Sequence, residues 1–231
     1  MREILEQGLP QLGLETALVP ELVRFADLVL ERNQVMNLTA ITEPEDFAAL
    51  HLLDSLELVP IAELHSQSII DVGCGAGFPG VPVAIARPEV RMTLLDSLGK
   101  RIDFLQEACD TLGLQNVQCV HARAEEFAAE HREIYDIAVS RAVAALPVLC
   151  ELCLPLVRPG GVMLAMKSSH SEVEIASAEN ALHALCGEIT WMKDYTIPGT
   201  QIVHRVICIK KIAICPKKYP RRFTLIKKSP L

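Results

Sequence analysis

Ile69-Ile70-Asp71-Val72-Gly73-Cys74-Gly75-Ala76-Gly77-Phe78-Pro79-Gly80 decides the fold of this chain. The stretch opens as an apolar strand, passes an acidic residue and enters a glycine-rich turn that leads into a helix near Pro79. Glycines at 73, 75 and 77 allow a tight turn and a close approach of the backbone to a ligand, since a Cβ would occupy that space. The pattern predicts a cradle for a nucleotide-containing cofactor.

Two cofactor classes fit this turn. Gly75 to Gly80 satisfies the G-x-G-x-x-G fingerprint of dinucleotide binding. Asp71, placed ahead of the glycines, instead resembles the first motif of class I S-adenosylmethionine methyltransferases. We expect Asp71 at the mouth of the turn, where a carboxylate would attract the ammonium or sulfonium of S-adenosylmethionine and repel a pyrophosphate. The sign of this charge favours methyl transfer over a nicotinamide cofactor.

Composition is consistent with an α/β enzyme. The 231 residues, 50% of them hydrophobic, suit one sizeable domain with a small appendage. No apolar run approaches the roughly 18 residues needed to span a bilayer, and the start of the chain does not resemble a signal peptide, so we expect a cytoplasmic protein without membrane contact. The eight cysteines, Cys150-x-x-Cys153 among them, are predicted to be reduced and packed in the core, and no metal site is expected.

The hydrophobic pattern changes near residue 66. Residues 20–37 and 44–59 show helical periodicity and predict a small helical cap over residues 1–66. Residues 67–211 alternate strands with helices, as in a mostly parallel sheet. We expect strands at residues 68–72, 91–95, 117–120, 134–139, 161–166, 188–197 and 202–210, with helices between the first six. The last two strands follow each other closely, so the predicted fold is a Rossmann-like, seven-stranded sheet with an antiparallel last strand.

The ends of the first four predicted strands carry the candidate site. Ligands of open α/β sheets bind beyond the carboxyl ends of the strands, because those ends meet at one edge. Asp96, after the second strand, can accept both hydroxyl hydrogens of a ribose. Ala124 and Glu125, after the third, are expected to meet an adenine, and Ser140-Arg141-Ala142 follows the fourth.

Basic charge is concentrated at one end of the chain. The net charge is −7, yet residues 210–231 hold eight basic residues and no acidic one, which leaves 14 basic and 29 acidic residues elsewhere. We interpret residues 212–231 as a basic tail that contacts a polyanion, nucleic acid in particular. A solvated tail that only aids solubility is the alternative.

Several motifs together resemble the RsmG (GidB) family of bacterial 16S rRNA guanine-N7 methyltransferases. The resemblance covers nearly the whole chain. It departs from the family at Ser168-Ser169 and after Arg222. The matching motifs are the glycine-rich turn, Leu94 to Leu105, Arg123-Ala-Glu-Glu, Ser140-Arg-Ala, Asn37-Leu-Thr, His51-Leu-Leu-Asp-Ser and Pro216 to Arg221.

The resemblance implies an S-adenosylmethionine-dependent enzyme that methylates N7 of a guanine in the 530 loop of 16S rRNA, as free rRNA, a 30S subunit or an assembly intermediate. Family cofactor contacts fall on Gly73, Phe78, Ala124, Glu125 and Arg141. To these we add Gly75 and Asp96 by inference. We expect a monomer.

Guanine N7 carries a free lone pair, so attack on a sulfonium methyl needs no general base. We therefore predict no catalytic residue in the acid–base sense, and rate enhancement by positioning and exclusion of water. Arg141 is expected to orient either the cofactor carboxylate or the guanine O6, and the sequence does not choose between them.

Two further pairs of residues have alternative roles. Lys100 and Arg101 begin a helix, where positive charge is unfavourable, and are expected to be compensated by RNA phosphate or by solvent. His51 and Asp54 either cover the site or form a buried hydrogen-bonded pair. The competing functions for the whole chain are methylation of a small molecule or protein, a nicotinamide-dependent oxidoreductase, and a binding module without turnover.

Overall fold

A single seven-stranded sheet organises the molecule. The computed structural model describes residues 1–141 and 143–231. Strand order is β3-β2-β1-β4-β5-β7-β6, with β7 antiparallel to both of its neighbours and the pairs among β1 to β5 parallel. The strands are β1 Ser68–Val72, β2 Arg91–Asp96, β3 Val117–His121, β4 Tyr135–Arg141, β5 Val157–Ser168, β6 Gly187–Thr196 and β7 Val203–Lys211. The predicted sheet and its antiparallel last strand are confirmed.

Helices cover both faces of the sheet. Five connections between β1 and β6 are helical, as predicted, because each parallel crossover must return the chain to the same edge. In the described part of the chain no helix has the length and apolar character needed to cross a membrane. The helices are α1 Arg2–Gly8, α2 Val19–Met36, α3 Pro44–Phe47, α4 Asp54–Leu56, α5 Leu58–Ile61, α6 Gly80–Ala86, α7 Gly99–Leu112, α8 Ala124–Glu130, α9 Leu146–Cys153, α10 Glu172–Ser177, α11 Glu179–Ala184 and α12 Phe223–Lys228.

The segments before β1 pack on one face of the sheet. A π-helical turn, Ala48–Leu53, joins α3 to α4, so the helical path predicted for residues 44–59 is nearly continuous. Phe25 of α2 and Phe47 of α3 are fully buried in the same apolar cluster as Leu94 of β2. The cap and this face of the sheet therefore share one core.

The residues after β7 pack on the other face. Tyr219 and Ile226 are buried in the apolar cluster that also contains Cys150 and Cys153 of α9. Arg221 forms a two-pronged ion pair with the fully buried Glu151, at 2.8 and 2.6 Å. The segment predicted as a basic tail is thus anchored to the sheet domain, and the two α9 cysteines serve packing, as predicted.

The largest differences from the predicted strand boundaries are in β5 and β4, whereas the other strands agree within one residue at each end. β5 begins at Val157, which pairs with Tyr135 ahead of a bulge, instead of at residue 161. β4 continues through Ser140 and Arg141, which pair with β5 residues and do not follow the strand. Ala142, the last residue of the predicted Ser140-Arg141-Ala142 motif, lies outside the described residues.

Candidate active site

One cavity of about 450 Å³ opens at the carboxyl edge of the sheet, beside the point where the chain order reverses between β1 and β4. Its volume is in the range of small-ligand and cofactor sites. All seven sequence-predicted cofactor residues line it: Gly73, Gly75, Phe78, Asp96, Ala124, Glu125 and Arg141. The structure thus brings the seven together, while their contacts to a cofactor stay a prediction.

The glycine-rich turn forms the floor of the cavity. Gly73 donates its amide to Leu95 O of β2 at 2.8 Å, which ties the turn to the neighbouring strand. Gly75 has a φ of +58°, a conformation that L side chains adopt at a cost. A Cβ built on Gly75 meets no atom closer than 4.0 Å and would therefore occupy space available to a ligand. This open cradle fits the close approach of a cofactor.

Asp96 connects the turn to the end of β2. Its Oδ2 accepts the Gly75 amide at 3.0 Å, and its Oδ1 accepts the Leu98 amide at 2.9 Å. Arg101 lies 3.4 Å from the same carboxylate. The positive charge of Arg101 is therefore compensated by Asp96, instead of by the RNA phosphate or solvent that the sequence suggested. Lys100 is exposed. Asp96 is both a cavity wall and a support of the turn.

The expectation for Asp71 is wrong. Asp71 is fully buried beneath the turn and is not among the residues that line the cavity. Its Oδ2 accepts the Gly80 amide at 2.9 Å, whereas Oδ1 has no partner in the described part of the chain. Burial raises the pKa of Asp71 to about 7. The carboxyl group therefore holds the start of α6 and does not present a charge to the cavity.

Aromatic rings and a guanidinium form the wall nearest the cap. The His51 ring stacks on Phe78 with 4.6 Å between centroids and 9° between planes. The Arg141 guanidinium lies 5.2 Å from the centroid of the same Phe78 ring. Phe47 supports both rings edge-on. His51 therefore covers the site, and its hydrogen bonds go to Arg141 and Thr39, so the alternative of a hydrogen-bonded pair with Asp54 is wrong.

A buried carboxylate, Asp54, fixes Arg141. Arg141 Nη1 donates to Asp54 Oδ2 at 2.9 Å and to Leu50 O at 3.0 Å. Asp54 Oδ1 in turn accepts from Tyr195 Oη and His204 Nδ1, each at 2.8 Å. Burial works to raise the pKa of Asp54, but the hydrogen bond from His204 and the charge of Arg141 hold it below its ordinary value. An ionised Asp54 thus joins the cap to β4, β6 and β7.

His51 is neutral near pH 7. Burial and the adjacent Arg141 charge lower the pKa of His51 to about 4. Its Nδ1 lies 3.0 Å from Arg141 Nη2, and its Nε2 lies 2.7 Å from Thr39 Oγ1. Both ring nitrogens are engaged within the chain.

Thr39 and Phe223 are two of the cavity residues that the sequence reasoning missed. Thr39 reaches the cavity from the loop between α2 and α3, and its motif Asn37-Leu-Thr carries no indication of that role. Phe223, at the start of α12, lines the cavity and lies 5.9 Å from the Arg123 guanidinium. The only sequence signal for Phe223 was its position as an aromatic residue within the basic segment.

Comparison with known proteins assigns the family. A model described as GidB, rRNA small subunit methyltransferase G, matches residues 19–202. The protein named Ribosomal RNA small subunit methyltransferase G from Alkaliphilus metalliredigens is 44% identical over 233 residues, covering 99% of this chain and 98% of the relative. The protein of that name from Acetivibrio thermocellus is 43% identical over 235 residues, covering 100% and 97%. The chain belongs to the GidB family.

Solved structures agree on the fold of this GidB protein. M. jannaschii TYW2 in complex with AdoMet superposes with a TM-score of 0.53 and 15% identity, covering 64% of this chain and 70% of that one. The antibiotic-resistance methyltransferase Kmr gives 0.51 and 21%, covering 64% and 88%. The GidB assignment and this fold leave no support for the nicotinamide-dependent oxidoreductase, although Gly75 to Gly80 fits its fingerprint.

Proposed function

We propose that this protein transfers a methyl group from S-adenosylmethionine to N7 of a guanine in small-subunit rRNA. The observation that carries the proposal is the 44% identity, over nearly the full length of both chains, to proteins named Ribosomal RNA small subunit methyltransferase G. The convergence of the seven predicted residues on one cavity supports it. The target in the 530 loop of 16S rRNA rests on the family resemblance.

The cradle fits this cofactor. When bound, S-adenosylmethionine supplies an electrophilic methyl group on a sulfonium. Gly73 and Gly75 would hold it by close backbone approach, Asp96 by accepting ribose hydroxyls, and Ala124 and Glu125 at the adenine. Asp96 already accepts the Gly75 amide, so ribose recognition by this carboxylate would be coupled to the shape of the turn.

The wall formed by His51 and Arg141 suits an acceptor that has no proton to lose. A general base needs a free acceptor atom within reach of the substrate. His51 offers none, because Arg141 donates to its Nδ1 and its Nε2 faces the Thr39 hydroxyl. Arg141 only donates hydrogen bonds. Methylation at a ring nitrogen with a free lone pair requires positioning alone, which is what these side chains supply.

The segment after β7 supplies the proposed RNA contact. Of the eight basic residues in 210–231, Lys211 is fully buried and Arg221 is paired with Glu151. The other six are exposed: Lys210, Lys217, Lys218, Arg222, Lys227 and Lys228. Phe223 links this segment to the cavity wall. We therefore place the RNA across α12, as free rRNA, a 30S subunit or an assembly intermediate.

The activity is tested by incubating the protein with methyl-labelled S-adenosylmethionine and either unmodified small-subunit rRNA or 30S particles, followed by nucleoside analysis. We expect label in N7-methylguanosine, and the relative rates on the two acceptors will show how much ribosomal structure the enzyme recognises. Label in another nucleoside or in ribosomal protein would contradict the proposed reaction.

The RNA contact is tested by neutralisation of two charges. Lys227→Gln with Lys228→Gln should weaken rRNA binding and reduce the slope of log K against log salt by about 0.7–0.9 for each phosphate that the variant no longer neutralises. The control is Arg2→Gln with Arg24→Gln, two exposed residues of α1 and α2, which should leave the slope unchanged. If both double variants gave the same slope, the segment would not contact RNA and would serve only solubility.

A further inference from the structure

A line of polar side chains connects the buried Asp54 to the cavity and is not explained by cofactor binding. Asp54 holds Arg141, Arg141 contacts His51, and His51 contacts Thr39, with successive distances of 2.9, 3.0 and 2.7 Å. Three of the four residues, Arg141, His51 and Thr39, line the cavity. The order of donors and acceptors along this line determines which group the protein presents at its end.

Arg141 fixes the tautomer of His51. A guanidinium donates and never accepts, so His51 Nδ1 must be the acceptor of the Arg141 Nη2 hydrogen. His51 is uncharged near pH 7, because burial lowers its pKa to about 4. A neutral imidazole that accepts at Nδ1 carries its single proton on Nε2. His51 Nε2 therefore donates to Thr39 Oγ1.

The Thr39 hydroxyl is consequently a donor only. Its oxygen accepts from His51 Nε2 at 2.7 Å and from the Ile41 amide at 3.0 Å, which uses both lone pairs. Its hydrogen has no acceptor within the part of the chain that the structure describes. Asn33 clamps the Thr39 backbone from both sides, through Oδ1 to the amide and Nδ2 to the carbonyl, at 2.9 and 3.0 Å. The hydroxyl is a fixed donor on the cavity wall.

The proposed acceptor base needs such a donor. Guanine presents O6 beside N7, whereas adenine presents an amino group beside N7. A hydroxyl that can only donate forms a hydrogen bond with guanine O6. It forms none with the adenine amino group, because that group is also a donor. The carboxylate of the cofactor is the other candidate acceptor near this wall, and it is better matched to the charge of Arg141 than to the neutral hydroxyl of Thr39.

We propose that the Thr39 hydroxyl donates to O6 of the target guanine, so that Thr39, held by His51 and Asn33, determines the specificity for guanine. This inference rests on the proposed function and adds a residue of the cap to it. Sites built to hydrogen-bond a substrate oxygen reject analogues that lack it, since the donor is then left unpaired.

The test is a double-mutant cycle between the hydroxyl and O6. Wild type, Thr39→Val and Thr39→Ser are compared on rRNA whose mapped target is guanine or 2-aminopurine, which keeps N7 and lacks O6. On guanine, Thr39→Val should lower kcat/KM about tenfold and Thr39→Ser should restore it. On 2-aminopurine, wild type and Thr39→Val should react at equal rates.

Thr200→Val is the matched control. Thr200 Oγ1 accepts the amide two residues ahead, Ile202 N, at 3.0 Å, as Thr39 Oγ1 accepts Ile41 N, but Thr200 does not line the cavity. Thr200→Val should methylate the target guanine at the wild-type rate. S-adenosylmethionine affinity by calorimetry should be the same for all four proteins.

Three results would overturn the inference. An equal loss for Thr39→Val on both acceptors would mean that the hydroxyl does not meet O6. Weaker calorimetric binding of S-adenosylmethionine to Thr39→Val would assign the hydroxyl to the cofactor. No methylation of guanine by the wild type would reject the proposed function itself, and the inference with it.

Discussion

The two walls of the cavity are built in different ways. The wall at the glycine-rich turn is local: Gly73 bonds to Leu95 and Gly75 to Asp96, all at the ends of two paired strands. The cap wall is assembled over long range, because Asp54 collects groups from β4, β6 and β7. Backbone conformation shapes the first wall and a side-chain network shapes the second.

Behind each wall lies a buried aspartate that does not line the cavity, and the two behave oppositely. Asp54 receives three donors and stays ionised, with a pKa held below its ordinary value. Asp71 receives one donor, Gly80 N, and burial raises its pKa to about 7. For these two buried carboxyl groups, the number of hydrogen-bond donors decides whether the group carries a charge or is close to neutral. The cap wall should therefore depend far more on the charge of Asp54 than the turn depends on the charge of Asp71.

The largest expected effect is that of Asp54→Asn. This variant removes the counter-charge of Arg141 and sets an amide NH₂ against a guanidinium donor. We expect it to lower the free energy of unfolding by about 3–5 kcal/mol. Asp71→Asn exchanges one unpartnered buried atom for another and removes a carboxyl group that ionises on unfolding, so it should not lower the free energy of unfolding at pH 7. Urea titration of both variants checks the contrast, and equal costs would remove the distinction between the walls.

Next in size is the effect of Gly75→Ala on the cofactor. Gly75 and Gly13 have φ of +58° and +67°, and a Cβ at either position meets no close neighbour. Both alanine variants should lose a similar ~1–2 kcal/mol of stability from the left-handed backbone. Only Gly75→Ala should abolish binding of S-adenosylmethionine by calorimetry, because its Cβ fills the cradle. Retained binding would show that the turn does not approach the ligand.

A smaller effect is expected for Phe223→Ala. Phe223 and Phe127 are both half-buried, but only Phe223 lines the cavity. We expect Phe223→Ala to weaken S-adenosylmethionine binding several-fold by loss of apolar contact, and Phe127→Ala to leave it unchanged. If the two variants bind equally, α12 is a support of the fold and not a third wall of the cavity.

The last effect concerns pH and Asp71. Its folded-state pKa of about 7 lies above the ordinary value of 3.8, so the folded protein binds this proton more tightly than the unfolded chain does. The contribution of Asp71 to stability is therefore full below about pH 4 and is lost as pH rises through 7. Asp71→Asn should flatten the fall in unfolding free energy between about pH 5 and 8. If unfolding free energy falls with pH at the same slope in wild type and Asp71→Asn, the group that titrates is not Asp71.

The sequence predicted the local wall well. The strand positions and the glycine-rich turn follow from short-range patterns: apolar strands and glycines in a tight turn. Asp96 and Glu125 could be located because parallel strands end at one edge. Five of the seven cavity residues, Gly73, Phe78, Ala124, Glu125 and Arg141, were implied by the family resemblance, and the strand-end argument agrees with them.

The cap wall could not be derived in this way. Asp54 bonds to Tyr195 and His204, more than 140 positions away, and no spacing rule connects them. Asp71 was misplaced because a strand end can point its side chain under the turn as well as into the cavity. Arg221 was assigned to RNA since its partner, Glu151, belongs to an apolar helix where no charge was expected.

The eight reduced cysteines give the molecule a set of natural reporters. Cys74 lies in the glycine-rich turn and Cys215 in the C-terminal segment, and both thiols are buried with pKa raised by burial. A thiol of this kind reacts with an alkylating reagent only after its surroundings open. Pulsed alkylation read by mass spectrometry would therefore time the opening of each segment separately, in the unaltered protein, with RNA present or absent.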